Sequence, residues 1–240
     1  MVEPKADNVS RAAAALVTLG EPEALEHGLV ERDTETHRYR LGWQLFALAA
    51  QVGDQRLLGI AGPLLASLVD RVGERASLTV LRGPDVLTVS SQAPHRAVQT
   101  IGWVGRTVPS YCTSSGRALL LDRRREELVR LFAQTRFDPF GPNSPRDVDA
   151  LHRRIVASRA RGFTVVAEEF APELVAAAAP VRDARGGICA AVNVSAPKYR
   201  LGGAGRLAAL GRAIKEVADE MSELLGEGAD PGTTGHRPRP

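Results

Sequence analysis

The chain has 240 residues, 44% of them hydrophobic and 25% charged, a balance ordinary for a folded water-soluble protein. Lys and Arg number 31 against 28 Asp and Glu, giving a formal net charge of +3, and there are two cysteines. These values exclude collagen-like, fully disordered and disulfide-stapled classes, and no run reaches the roughly 18 apolar residues of a membrane-spanning helix. The opening MVEPKADNVS lacks the apolar centre of a secretion signal, so a cytoplasmic protein with no membrane partner is expected. Residues 1–53 hold eight acidic and five basic side chains, so net charge by itself marks no nucleic-acid surface.

Along the chain, Ser10–Gly20 is Ala-rich, has Leu16 and Leu19 three apart, and predicts a short helix stopped by glycine. Glu23–His27 is a helical fragment. Leu29–Arg32 and Arg38–Leu41 alternate as two strands about the turn Asp33–Thr36, and a helix followed by such a hairpin outlines a winged helix-turn-helix unit. Gly42–Gly53 has the spacing of a connecting helix, and Asp54–Gly73 that of an amphipathic one. Strands are expected over Arg75–Arg82, Val86–Gln92 and Val98–Val104, then helices over Thr113–Leu121, Asp122–Ala133 and, past a Pro/Gly-rich loop, Asp147–Arg161. Phe163–Glu169, Leu174–Arg182 and Gly187–Ala196 read as strands, Leu207–Leu225 as a closing helix, and 226–240 as a disordered tail. Helices flanking an antiparallel sheet built from hairpins make an α+β fold, an arrangement that commonly cups a small molecule.

GLVERDTETHRYRLG (28–42), VGRTVPSYCTSSGRALL (104–120) and RGFTVVAEE (161–169) with AAPVRDARGGICAAVNVSAP (178–197), in this order, resemble the IclR family of transcriptional regulators. The first resembles the family's wing and linker entry, and the second the wall of its effector pocket. The last two together resemble its C-terminal signature. The resemblance implies a winged helix-turn-helix over 1–41, a linker helix over 42–53, a GAF-like effector-binding domain over 54–225 and a tail over 226–240. It implies DNA, a small organic acid and further copies of the chain, as dimer or tetramer, for partners, and neither a cofactor nor an enzymatic activity. One departure stands out: Ser10–Gly20 runs almost directly into a stretch resembling the end of the recognition helix, so the base-reading segment is expected to be missing. Arg32, Arg38 and Arg40 of the wing then remain, read equally as phosphate contacts or as solvated hairpin arginines. The alternative reading is a stand-alone small-molecule module that has lost specific DNA binding.

By position, the resemblance brings Ser114, Ser115, Asn193 and Ser195 to the effector's carboxylate, with Cys112 and Trp103 beside them. Ser114 and Ser115 also read as helix caps, whereas Asn193 and Ser195, two apart on a strand, share a face. Val166 and Ala176 stand where members that bind very small keto acids carry Asp and Cys; the apolar exchange favours an aromatic or larger hydrophobic acid. Cys112 at a helix start reads as a buried structural thiol, because no histidine is placed to act as its base, and no cluster of metal ligands is visible. Glu168 and Glu169, neighbours on a strand, should face opposite sides, with at least one at the surface. Packing is the favoured role for Trp43.

Overall fold

The computed structural model describes residues 23–45, 55–94, 104–201 and 203–227. The expected helix Ser10–Gly20, most of the connecting helix, nearly all of the strand Val98–Val104 and most of the tail lie outside the described residues. So does the stretch ahead of Glu23 on which the loss of a recognition helix turns. The chain divides into two units, residues 1–55 and 56–240.

In the first unit, helix α1 (Glu23–Glu26) leads into the hairpin β1 (Val30–Arg32) and β2 (Tyr39–Leu41). The strands pair antiparallel with Glu31 opposite Arg40 and Arg32 opposite Tyr39. The turn is made by Asp33, whose Oδ1 accepts from the backbone N–H groups of Glu35 (3.1 Å) and Thr36 (2.7 Å) and from the Thr36 hydroxyl. Those donors hold its carboxyl below the usual carboxylate range. Two glycines close the motif: the Gly42 N–H donates to Leu29 O at 2.8 Å, and a Cβ on Gly42 would lie 1.9 Å from Gly28 O. Ala24 and Val30 form the small buried centre, with Leu25, Leu29 and Tyr39 against it. Trp43 does not pack as expected; it is 78% exposed, its backbone N–H resting on Glu31 Oε1 at 3.3 Å.

The second unit is built on a six-stranded sheet ordered β5-β4-β3-β8-β7-β6, every neighbouring pair antiparallel. Its strands are β3 (Ala76–Arg82), β4 (Asp85–Gln92), β5 (Thr107–Pro109), β6 (Thr164–Ala167), β7 (Leu174–Arg182) and β8 (Ile188–Pro197). Side chains alternate between its faces. Ala76 and Leu78, Ala177 and Ala179, and Val192 and Val194 face helices α2 (Gln55–Val72) and α7 (Ala204–Gly226) in the largest buried cluster. The helices answer with stripes at helical period, Leu57, Ala61, Leu65 and Leu68 on α2 and Leu210, Ile214, Val217 and Met221 on α7. Each fully buried large side chain there contributes about 1.5–3 kcal/mol of hydrophobic stabilisation.

The opposite face is covered by the short helix α3 (Ser114–Leu119), whose Ala118 and Leu119 pack on Ala178, Ala191 and Val86. Alanines at the sheet's centre let this helix come close. Beside it, α4 (Arg125–Leu131) and α5 (Val148–Arg159) enclose a second cluster around Tyr111, Cys112, Leu128 and Ile155. Few aromatic residues exist in this chain, and several gather here: Tyr111 stacks on Phe137 at 4.5 Å between centroids and meets Phe132 edge-on at 6.4 Å. A one-turn helix, α6 (Lys198–Leu201), joins β8 to α7. No described helix is long and apolar enough to cross a membrane.

Candidate functional site

Between α3 and the sheet lies a cavity of about 150 Å³. An engineered cavity of this volume admits one benzene ring. Period-two alternation chooses its floor: Ser77 and Thr79 on β3, Asn193 and Ser195 on β8, Ala176 on β7 and Val166 on β6. Register aligns them in rows, with Ser77 opposite Asn193, Ser195 opposite Ala176, and Ala176 opposite Val166. Val166 and Ala176 thus form one apolar wall, and the hydroxyls and the Asn193 carboxamide lie across from it. Phe170 and Leu174 close the rim, with the Phe170 ring stacked on Phe140 at 5.8 Å and 7° between planes. Of the residues expected here, Ser114, Ser115, Val166, Ala176, Asn193 and Ser195 all line the cavity.

The roof has an internal reason for its shape. Thr113, not Ser114 or Ser115, is the N-cap of α3: its Oγ1 accepts from the Gly116 N–H at 3.1 Å and donates to Pro109 O at 3.2 Å. Ser114 and Ser115 are therefore released from capping and sit buried over the cavity at 2% and 4% exposure. Thr164 ties β6 to this roof by donating its hydroxyl to Ser114 O at 2.9 Å.

Cys112 is the buried thiol expected of it, but it does not stand beside Ser114 at the cavity. It points away from the cavity into the cluster of Tyr111, Leu128 and Ile155, fully buried, with its Sγ 3.8 Å from Pro109 O. Residues 110–113 form an irregular connection, so strand alternation does not carry Cys112 to the roof beside Ser114. Burial pushes its thiol up to about 12. Folded and unfolded thiols are both protonated below pH 9, so this group adds no pH dependence near neutrality; above that the unfolded chain ionises first and the fold loses stability until about pH 12. In the native protein at pH 8, Cys112 should stay unmodified by iodoacetamide and react only on unfolding, as peptide mass spectrometry would report. Modification at the rate of a free thiol would refute its burial. Trp103 lies outside the described residues.

The acidic pair faces opposite ways as expected, but not as strand neighbours. β6 ends at Ala167, and Glu168 takes a left-handed φ of 58°, so strand alternation does not apply to it. Glu168 pairs with Lys198 Nζ at 2.8 Å, which holds its carboxyl below the usual range. Glu169 is turned inward, 6% exposed, and bridges two arginines: Arg117 Nη2, and Arg154 Nη1 at 2.9 Å. Arg117, on α3, also donates to Val165 O at 3.1 Å. Burial pulls its pKa below the ordinary arginine value, against the opposing pull of Glu169. Ser144 donates its hydroxyl to Glu169 O and receives the Gly141 N–H at 2.9 Å, fastening the 141–144 loop beside the rim residue Phe170.

On the hairpin the three arginines do not form one surface. The Arg40 guanidinium is 2.7 Å from Glu31, and that of Arg32 lies 5.9 Å above the Tyr39 ring, on the opposite face. Arg38 is exposed in the turn. Among the described residues no group of three or more His, Cys, Asp or Glu side chains converges as a metal site requires.

Residues 49–223 match the family described as "Bacterial transcriptional regulator IclR C-terminal". The chain belongs to the IclR family. It is 32% identical over 206 residues to the HTH-type transcriptional regulator BhcR of Paracoccus denitrificans, covering 85% of this chain and 74% of that protein. The HTH-type transcriptional repressor AllR of Escherichia coli K12 is 27% identical over 203 residues, covering 84% and 74%. Among solved structures, an IclR homologue from Microbacterium hydrocarbonoxydans complexed with 4-hydroxybenzoate superposes with a TM-score of 0.74 at 25% identity, covering 92% of this chain and 90% of that one. An IclR-type transcriptional regulator is therefore the identity of this chain, and the α+β architecture is that of the family. Within this IclR fold the cavity gains lining residues that motif positions do not reveal: Arg75 just ahead of β3, Ser77 and Thr79 on it, Val86 and Thr88 from β4, and Phe170 from the rim. A signal for the first three was present in the polar residues at every second place of Arg75–Arg82, which read as a solvent face until α3 covers it.

Proposed function

We propose that this IclR regulator responds to a small aromatic carboxylic acid held in the cavity beneath α3. The ring-sized volume, walled by Val166 and Ala176 and faced by the Ser114, Ser115, Asn193 and Ser195 side chains, carries the reading. The relative bound to 4-hydroxybenzoate supports a ring-bearing acid. In the arrangement proposed, residues 1–41 serve the DNA, 42–53 link, 54–225 bind the effector, and the chain works in the cytoplasm as a homo-oligomer without catalysing a reaction. The acid acts through its differential affinity for two arrangements of the oligomer, only one of which fits the operator. Arg32, Arg38 and Arg40 contribute phosphate contacts, which position the wing without reading bases.

Calorimetry on the full chain with 4-hydroxybenzoate and with glyoxylate tests this. The aromatic acid should bind and the two-carbon acid should bind at least tenfold more weakly, a difference of about 1.4 kcal/mol. Ala176→Phe puts a ring into the ring-sized space and should weaken the aromatic acid by tenfold or more, while the unfolding free energy falls by no more than about 3 kcal/mol, the usual range for an enlarged buried side chain. Absence of heat with millimolar aromatic acid would overturn the proposal.

A further inference from the structure

We infer that Arg75 is the cation that receives the effector's carboxylate and that Asn193 receives a hydroxyl at the ligand's other end, so the effector class is a ring carrying both groups. The inference rests on the acid-effector reading above and adds the polarity and orientation of the ligand. Arg75 precedes β3 and continues the alternation of Ser77 and Thr79 on the cavity face, and it lines the cavity. Its Nη1 donates to Ser91 Oγ at 3.3 Å, and Ser91 Oγ lies 3.0 Å from Ser77 Oγ, so the guanidinium is drawn toward β4. A planar guanidinium offers a carboxylate two parallel donors, a match that hydroxyls alone do not supply.

At the other end, the Asn193 side-chain oxygen is buried and has no hydrogen-bond partner among the described residues. A buried acceptor left unpaired is costly, and this one lies on the cavity floor opposite Ser77. A hydroxyl both donates and accepts, so it satisfies the carboxamide in either orientation. Ser91 and Asn193 flank Ser77 from the two neighbouring strands. Two strand spacings, about 10 Å of backbone separation, therefore lie between the residue holding Arg75 and the carboxamide. An α-hydroxy acid carries its two groups on adjacent carbons and reaches one end only. A benzene ring substituted at opposite positions reaches both, with Val166, Ala176 and Phe170 along its apolar middle.

The test is calorimetry of the full chain and its Arg75→Gln, Arg75→Lys and Asn193→Ala variants with 4-hydroxybenzoate, benzoate, 4-hydroxybenzamide and lactate. Wild type should prefer 4-hydroxybenzoate over benzoate and over the uncharged amide by about tenfold each, the worth of one charged or well-made hydrogen bond, and should bind lactate most weakly. Arg75→Gln should lower 4-hydroxybenzoate affinity to that of the amide and leave the amide unchanged. Arg75→Lys should retain part of the acid preference, which a merely structural role for Arg75 would not predict. Asn193→Ala should erase the advantage of 4-hydroxybenzoate over benzoate. Wild type binding the aromatic acid with both Arg75 variants indifferent to its charge would overturn this inference and leave the acid-effector reading standing. Wild type binding none of the three aromatic compounds would overturn both.

Discussion

Glu169→Ala should cost the second unit about 3–5 kcal/mol, the usual penalty for leaving a buried charge without its partner. Folding free energies of single domains are about 5–15 kcal/mol, so this single change brings the unit near unfolding at ordinary temperature. Arg117 explains the size. It is 3% exposed and fixed between β6 and Glu169; without the carboxylate it keeps one bond, to Val165 O, while its Nε already lacks a partner among the described residues. Arg154 suffers less, because it is 35% exposed at the side chain and also donates to Asn143 O at 2.6 Å. Glu169→Gln keeps a hydrogen-bond acceptor and should cost less than the alanine. The double change Arg117→Met with Glu169→Leu removes both charges and should recover most of the loss, since apolar replacement of a whole buried pair is often neutral or better. Urea unfolding measures each loss, and the cycle of wild type, Arg117→Met, Glu169→Leu and the double change gives the coupling. A loss under 1 kcal/mol for Glu169→Ala would mean that Arg117 reaches solvent and that the pair does not hold α3 to β6.

The sequence pattern fixed the elements whose period is strong and whose partners are close. Leu174–Arg182 is legible to the residue because it is an unbroken apolar run, buried on both faces between Leu174 and Arg182, with turn residues directly behind it. The helix expected over Asp54–Gly73 is observed over Gln55–Val72, with Asp54 outside the described residues, because its apolar stripe fits a 3.6-residue period. Strand β5 and the start of α4 are not legible, for a physical reason. β5 has three residues and exists by pairing with Asp85, Val86 and Leu87, a contact made by tertiary approach rather than local preference. Helix α4 starts three residues later than expected, at Arg125, because the Glu127 carboxylate accepts the Arg124 N–H at 2.8 Å and sets the first turn there.

The same division holds at the site. Asn193 with Ser195, and Val166 with Ala176, were placed by alternation and position, and the sheet brings all four to the cavity. Cys112 is buried as its surroundings predict but absent from the cavity, because the connection 110–113 follows neither the strand nor the helix period. Arg75 was overlooked because a polar residue at the start of a strand looks solvent-facing until a helix distant in sequence covers it. Glu169 was read as a strand residue, whereas the positive φ of Glu168 ends the strand and turns the next side chain inward. Each miss is a case where non-local packing, not local pattern, decides which way a side chain faces.

Gly116→Ala should destabilise the second unit by about 1–3 kcal/mol, the common cost of overpacking, and should abolish the response to effector. Helix propensity alone argues the other way, since alanine in place of glycine within a helix gains about 1 kcal/mol. Packing decides against it. A Cβ at Gly116 would lie 2.0 Å from Ser110 O and 2.3 Å from Ser110 Cα, backbone atoms that no rotamer change can move aside. Either α3 lifts from the Pro109–Ser110 segment or that segment shifts, and Ser110 is itself held by its hydroxyl and its N–H, both donating to Pro84 O. The same displacement carries Ser114 and Ser115, two and one residues before Gly116, off the cavity they roof. Gly59 on α2 is the matched control: a Cβ there meets nothing within 4 Å, so Gly59→Ala should stabilise by up to about 1 kcal/mol. Denaturation midpoints of opposite sign for the two replacements, with calorimetric binding lost only in Gly116→Ala, would establish that close approach of α3 to Ser110 shapes the pocket. Equal stabilisation by both would show that α3 stands farther from Ser110 than described and that the cavity roof is set by other contacts.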